Sequence, residues 1–261
     1  MTRPLVLSVL AAGVVLGMLG CEAPAAARMQ VVRAAYQDGD YARAYNEAVR
    51  LTHTTDPALR TEASYMAGLA AHRRGSHRVA TQYLQAATRS ADRQLAGDAL
   101  AELGLIHAEQ QRYALSARTL LAAAERLDGQ DRANAYFYAG AAQQKLGRWD
   151  RARTSLSLAR SHSTDPLFRQ QVDEQLSVTG YTLQIGAFAN QSNAQRATDS
   201  LAARARTVKL GVPRIVPSTD RQGQRLYLVQ IGRFSTFAAA LIARQRLGSN
   251  EPIIVPLAKT R

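Results

Sequence analysis

Two glutamines stand in matching frames, Leu183-Gln184-Ile185-Gly186-Ala187-Phe188 and Val229-Gln230-Ile231-Gly232-Arg233-Phe234, 46 residues apart. A side-chain amide both donates and accepts hydrogen bonds, which suits sugar hydroxyls and N-acetyl groups. Leu226 and Leu228, just before the second frame, offer a flat apolar platform of the kind that packs on a pyranose face. Arg214, Arg221, Arg225 and Arg233 add guanidinium forks, which pair with carboxylates in bidentate fashion. Cys21 is the only cysteine, so an intrachain disulfide or a multi-cysteine metal cage is impossible. The five histidines, His53, His72, His77, His107 and His162, form neither HxxxH nor HExxH. There is no GxSxG and no P-loop, and Asp199, Asp220 and Glu251, the carboxylates after residue 178, are scattered along the chain. This inventory binds rather than reacts. No enzyme activity, cofactor or metal site is expected.

The 261 residues carry 33 Lys+Arg against 20 Asp+Glu, a net charge of +13 that favours anionic partners such as nucleic acid, a phospholipid surface or a cell-wall polymer. Residues 179–261 hold 12 of the basic residues and 3 of the acidic ones, a net +9 that leaves +4 for residues 1–178. At the other end, Arg3 precedes an uncharged stretch from Pro4 to Gly20 and then Cys21. A basic start, an apolar run of roughly 15 residues and small residues at its end describe an export signal. Met18-Leu19-Gly20-Cys21 resembles a bacterial lipobox, which implies removal of residues 1–20 and lipidation of Cys21, with 21–27 as a tether. The resemblance implies a lipoprotein anchored in the envelope.

The next region is periodic. Gly39-Asp40-Tyr41, Gly75-Ser76-His77, Gln111-Arg112-Tyr113 and Gly147-Arg148-Trp149 recur every 36 residues, and Gly68, Gly104 and Gly140 keep the same step. So do Ala44, Ala80, Ser116 and Ala152, and then Ala48, Leu84, Leu120 and Leu156. Such a period marks a solenoid of helix pairs, with small residues where two helices approach closely. Residues 28–163 resemble four tetratricopeptide (TPR) repeats, with Val32 replacing the early glycine of the first. The resemblance implies a concave surface for a protein partner, although Asp98, Ala101, Leu105, Asn134, Phe137 and Ala141 at the inner positions do not form the basic clamp of some members. His77 and His107 fall in columns where the repeat carries tyrosine, so packing explains them. Residues 164–178 read as a capping helix and linker.

After Gly180 the apolar pattern alternates, as in strands. Tyr181–Phe188, a strand from Arg214, Leu226–Phe234 and Pro252–Val255 alternate with helices over 190–205 and from Ser235, the expected cap, to about 247. The order is βαββαβ, with both helices on one face of the sheet. The paired Gln-Ile-Gly-x-Phe motifs, the turn at Gly223 and the closing Ile-Val strand resemble the sporulation-related repeat (SPOR) domain over 179–258, leaving 259–261 as a tail. The resemblance implies binding of septal peptidoglycan, in particular glycan strands denuded of stem peptides, whose lactyl carboxylates are anionic. It also implies glycan contacts at Gln184, Ala187 and Leu226. Strand parity puts Thr182, Gln184, Leu226, Leu228 and Gln230 on the open face, with Arg225 and Arg233 near it.

The chain is therefore expected to be multidomain: an all-α TPR-like helical solenoid followed by an α+β βαββαβ (SPOR, ferredoxin/RNP-like) domain. Its expected role is that of an exported envelope lipoprotein that binds denuded septal glycan and recruits a protein partner in cell division or wall remodelling. The competing reading is an envelope scaffold acting through its repeats, with incidental wall binding. Nucleic acid is not expected, because sheets that bind RNA stack bases on aromatic residues, and Gln184, Leu226, Leu228 and Gln230 are not aromatic.

Overall fold

The computed structural model describes residues 25–248 and 252–257. The export signal, the lipidation site Cys21 and the tail at 259–261 lie outside the described residues. Helices run from α1 (Ala25–Gln37) and α2 (Tyr41–Leu51) through α3 (Pro57–Arg73), α4 (His77–Ala87), α5 (Arg93–Glu109) and α6 (Tyr113–Ala124) to α7 (Gly129–Lys145), α8 (Trp149–His162) and α9 (Pro166–Ser177). Ala25 to Ala27, expected as tether, already belong to α1.

The 36-residue step appears as four antiparallel helix pairs. Within each pair the turn passes through a left-handed residue: Gly39, Gly75 and Gly147 at φ 68–80°, and Gln111 at 59°. The longer helices start from aspartates that also repeat. Asp56 accepts from the amides of Ala58 and Leu59, and Asp92 from those of Gln94 and Leu95. Each such cap is worth about 1 kcal/mol.

The glycine column is explained by its partner column. A Cβ built on Gly68, Gly104 or Gly140 would sit 2.6, 2.5 or 2.8 Å from Cγ of Leu84, Leu120 or Leu156. These three leucines are almost completely buried, each burial contributing roughly 1.5–3 kcal/mol. The first pair reverses the sizes. Val32 takes the glycine's place and Ala48 the leucine's, both fully buried in one cluster with Met29, Leu51 and Met66. At the far end, α9 covers the last pair, with Val172 packed on Phe137, Leu156 and Ala159, and an outward face that leaves Leu167 exposed.

The C-terminal part is a four-stranded antiparallel sheet with strand order β2-β3-β1-β4. Its strands are β1 (Tyr181–Phe188), β2 (Arg214–Thr219), β3 (Arg225–Phe234) and β4 (Ile253–Pro256). Helices α10 (Gln191–Thr207) and α11 (Phe237–Leu247) supply Ala205, Ala240, Ala243 and Leu247 to a core that also holds Leu183 and Ile231. Two expectations change in detail. Thr236, not Ser235, caps α11, accepting from the Ala239 amide at 3.1 Å. Thr182 is fully buried instead of open, because its hydroxyl turns onto the carbonyls of Ile231 and Gly232 at 3.1 and 2.8 Å.

Candidate functional site

The open face of the sheet is assembled by two irregularities in the β1–β3 ladder. Leu183 pairs with Ile231 and Tyr181 with Phe234, so β3 carries an extra residue around Gly232, whose φ of 74° suits glycine. On β1 the extra residue falls between Gln184, opposite Gln230, and Gly186, opposite Val229. Regular alternation would set Gln184 and Ala187 on opposite faces. The β1 bulge turns the strand by one residue, so that Ala187, paired with Leu228, shares the face of Gln184.

Three cross-strand rows result. The first runs Arg214, Gln230, Gln184, Ile253 across β2, β3, β1 and β4. The second holds Val216, Leu228 and Ala187, and the third Ser218 and Leu226. The opposite parity, Leu183, Val229 and Ile231, is buried. Gln230 forms the floor at 4% exposure, Gln184 is half-buried beside it, and Ile253 is 54% exposed at the edge. Neither amide makes a side-chain hydrogen bond among the described residues.

The sequence-predicted basic residues separate. Arg225 pairs with Thr219 and has the parity of Tyr227 and Val229, so it stands exposed at the strand's start, away from the rows of Gln184 and Leu228. Arg221 lies in the turn after β2, where Asp220 accepts from the amides of Gln222 and Gln224. Arg233 is exposed and donates to the Ser177 carbonyl at the end of α9. Arg214, by contrast, sits at the end of the amide row. Its Nε is buried without a hydrogen-bond partner, and burial, then the neighbouring Arg233, lowers the guanidinium below its ordinary value. An anion here would meet an unfilled donor. The strands contain no carboxylate that would compete for it. Sequence reasoning named Arg214 only as one of several nearby cations and read Ile253 simply as part of the closing strand. Their places depend on the β2 and β4 registers, which no local pattern encodes.

A second surface lies in the hollow of the helical pairs. Tyr65, Asp98, Ala101, Leu105, Asp131, Asn134 and Tyr138 line one cavity with Glu102. Of the expected inner positions, Asp98, Ala101, Leu105 and Asn134 are there, whereas Phe137 points into the core and is replaced by the half-exposed Tyr138. Asp98 makes no ion pair among the described residues, and its carboxyl is pushed up to about 6, first by burial and then by Asp131 and Asp92. Burial, followed by Asp98 and Glu102, raises the Tyr65 hydroxyl too. The hollow is acidic on a chain that is otherwise strongly basic.

The fold defines the class of protein: a TPR-like helical-repeat solenoid joined to an α+β domain with a four-stranded antiparallel βαββαβ sheet. The family model of the SPOR domain matches residues 177–256, so the sheet and its helices are a SPOR domain, which implies peptidoglycan binding. Among solved structures, the chain is similar to MamA of MSR-1, at 21% identity over 59% of this chain and 87% of that one, with a TM-score of 0.43. It is also similar to MamA of AMB-1, at 20% identity, 59% and 82% coverage and a TM-score of 0.44. No curated protein matches the chain in sequence.

Proposed function

We propose that this protein docks on peptidoglycan strands stripped of their stem peptides, concentrated at the division septum, and holds a partner protein there through its repeats. The observation that carries the reading is the row Arg214–Gln230–Gln184, an unfilled cationic donor continuous with two unpaired amides. Removing stem peptides leaves a lactyl carboxylate on every N-acetylmuramic acid. An amide pair for N-acetyl and hydroxyl groups, with a guanidinium for the carboxylate, matches that repeating unit. Leu226, Leu228, Ala187 and Ile253 supply the apolar ground on which a sugar ring rests. Arg233 lies close enough to Arg214 to add positive field, while Arg225 serves the rim only. A lipid on Cys21 would keep the chain at the envelope; among the described residues no helix is long and apolar enough to cross a membrane.

The acidic hollow supports the recruiting role and specifies its chemistry: the partner segment is basic, with an apolar side chain for Tyr65 and Tyr138. Pull-down of the full chain on sacculi, with and without amidase digestion, tests the wall reading. Binding should rise on digestion and fall about tenfold in Arg214→Gln or in Gln184→Ala/Leu226→Ala, the loss of one charged hydrogen bond or a comparable contact set. Equal binding to both sacculi, unchanged by the variants, would reduce the domain to a general basic wall binder. No binding at all would move the function to the repeats alone.

A further inference from the structure

We infer that His72, His77 and Glu109 form a site for a divalent first-row cation of the zinc class, at the junction of the second and third helical pairs. The three residues come from α3, the start of α4 and the end of α5, and their donor atoms lie within 4.8 Å of one another. His72 Nε2 is 2.8 Å from Glu109 Oε2, and His77 Nδ1 is 3.6 Å from the same oxygen. Around a tetrahedral ion with ligand bonds of about 2.0–2.2 Å, neighbouring donors stand about 3.3 Å apart. The two separations straddle that value, and the side chain that must adjust, Glu109, is half-exposed and mobile by its length.

Three further features point to ligation rather than packing. His77 Nδ1 is buried, makes no hydrogen bond and stands 3.6 Å from Glu109 Oε2. Glu102 meets His72 Nδ1 at 2.7 Å, and a carboxylate accepting from one ring nitrogen holds the other with its lone pair outward. Two imidazoles and one carboxylate leave a fourth position for water or an incoming donor. On binding, the ion takes the place of the proton shared between Nε2 and Glu109, which goes to solvent.

The same two columns show what the histidines replace. In the first helical pair they hold Tyr36 and Tyr41, with ring centroids 5.3 Å apart, where the second pair has His72 and His77 at 5.5 Å. The rings of both pairs fill equivalent space, so stacking alone needs no imidazole. Glu102 also lines the acidic hollow, which places the ion's orienting carboxylate in the wall of the partner groove.

Titration of the full chain with Co²⁺, followed by Zn²⁺ displacement, tests the site. A single equivalent should give the visible bands of tetrahedral cobalt and be displaced by zinc. His72→Tyr/His77→Tyr restores the ring pair of the first repeat, so far-UV circular dichroism should be unchanged while the bands disappear. Every other donor, Cys21 included, remains in that variant. Glu109→Gln, on the surface, should weaken binding without touching the fold, and Glu102→Ala should weaken it about tenfold through loss of the orienting carboxylate. Absence of tight binding to the wild-type chain, or cobalt bands that persist in the tyrosine double variant, would overturn the assignment.

Discussion

Asp98 carries a stability cost in the folded state at neutral pH. A carboxyl raised from 3.8 to about 6 prefers its proton in the folded state, burial being the main cause and Asp131 and Asp92 the next. The penalty is absent below the ordinary carboxylate range and complete above the folded value, so it operates throughout neutral pH. Asp98→Asn should therefore raise the melting temperature at neutral pH by roughly 2 °C, the screened effect of a half-exposed group being under about 1 kcal/mol. The gain should vanish near pH 4, and a basic partner peptide should bind the variant less well. A melting series across pH with a parallel binding titration checks both. Asp98 was legible in the sequence as an inner position; that it forms no ion pair among the described residues was not. The histidines illustrate the converse. The repeat frame explains His107, buried and with its pKa lowered by burial and then by Arg112 and Arg118, as a packing residue. The same frame reads His77 as packing and does not show the carboxylates beside His72 and His77, because Glu102 and Glu109 come from the next helical pair. Burial alone would lower His72, but hydrogen bonds to the Glu109 and Glu102 carboxylates outweigh it and raise the imidazole.

At the level of elements, the solenoid rests on size exchange between two columns. Gly104→Ala forces a methyl against Leu120 and should cost about 1–3 kcal/mol in denaturant unfolding. Gly104→Val with Leu120→Ala reproduces the arrangement of Val32 and Ala48 and should recover part of that loss, a coupling of about 0.5–3 kcal/mol expected for residues in contact. In the turn of the third pair Gln111 occupies the left-handed region that glycine fills in the other three. Gln111→Gly should stabilise by about 0.5–1 kcal/mol, since an L side chain there costs roughly that or more. The helices, their period and the glycine column could all be read from the chain, because each depends on residues near in sequence. The bulges of β1 and β3 could not. They arise where two distant strands settle a mismatch in register, and Ala187 joins Gln184 only through that settlement.

Across the whole molecule, charge is divided between the two parts. Positive charge gathers in the C-terminal part, whose open face carries no carboxylate among the described residues, whereas the hollow of the repeats presents Asp98, Glu102 and Asp131. Wall binding should weaken as salt rises, while Asp98→Lys/Asp131→Lys should abolish capture of a basic partner and leave sacculus binding unaltered. Co-sedimentation of the full chain with sacculi and partner peptide, at low and physiological salt, separates the two surfaces. The two parts also touch. Asp150 of α8 accepts from the Phe237 amide at the start of α11, at 3.2 Å, and Arg153 donates to the carbonyls of Leu176 and Thr179. The amino-acid sequence by itself determined the architecture, a 36-residue helical repeat followed by a duplicated βαβ unit, and the identity of the amides and leucines on its open face. Local periodicity specifies those features, since helix and strand pitch relate residues a few positions apart. Only the tertiary structure decided that Arg214 completes the amide row, that Arg225 leaves it, and that two histidines and two glutamates from three helices converge. Each of these depends on register or on packing between elements far apart in the chain, where small shifts select the neighbour and no local pattern records the choice.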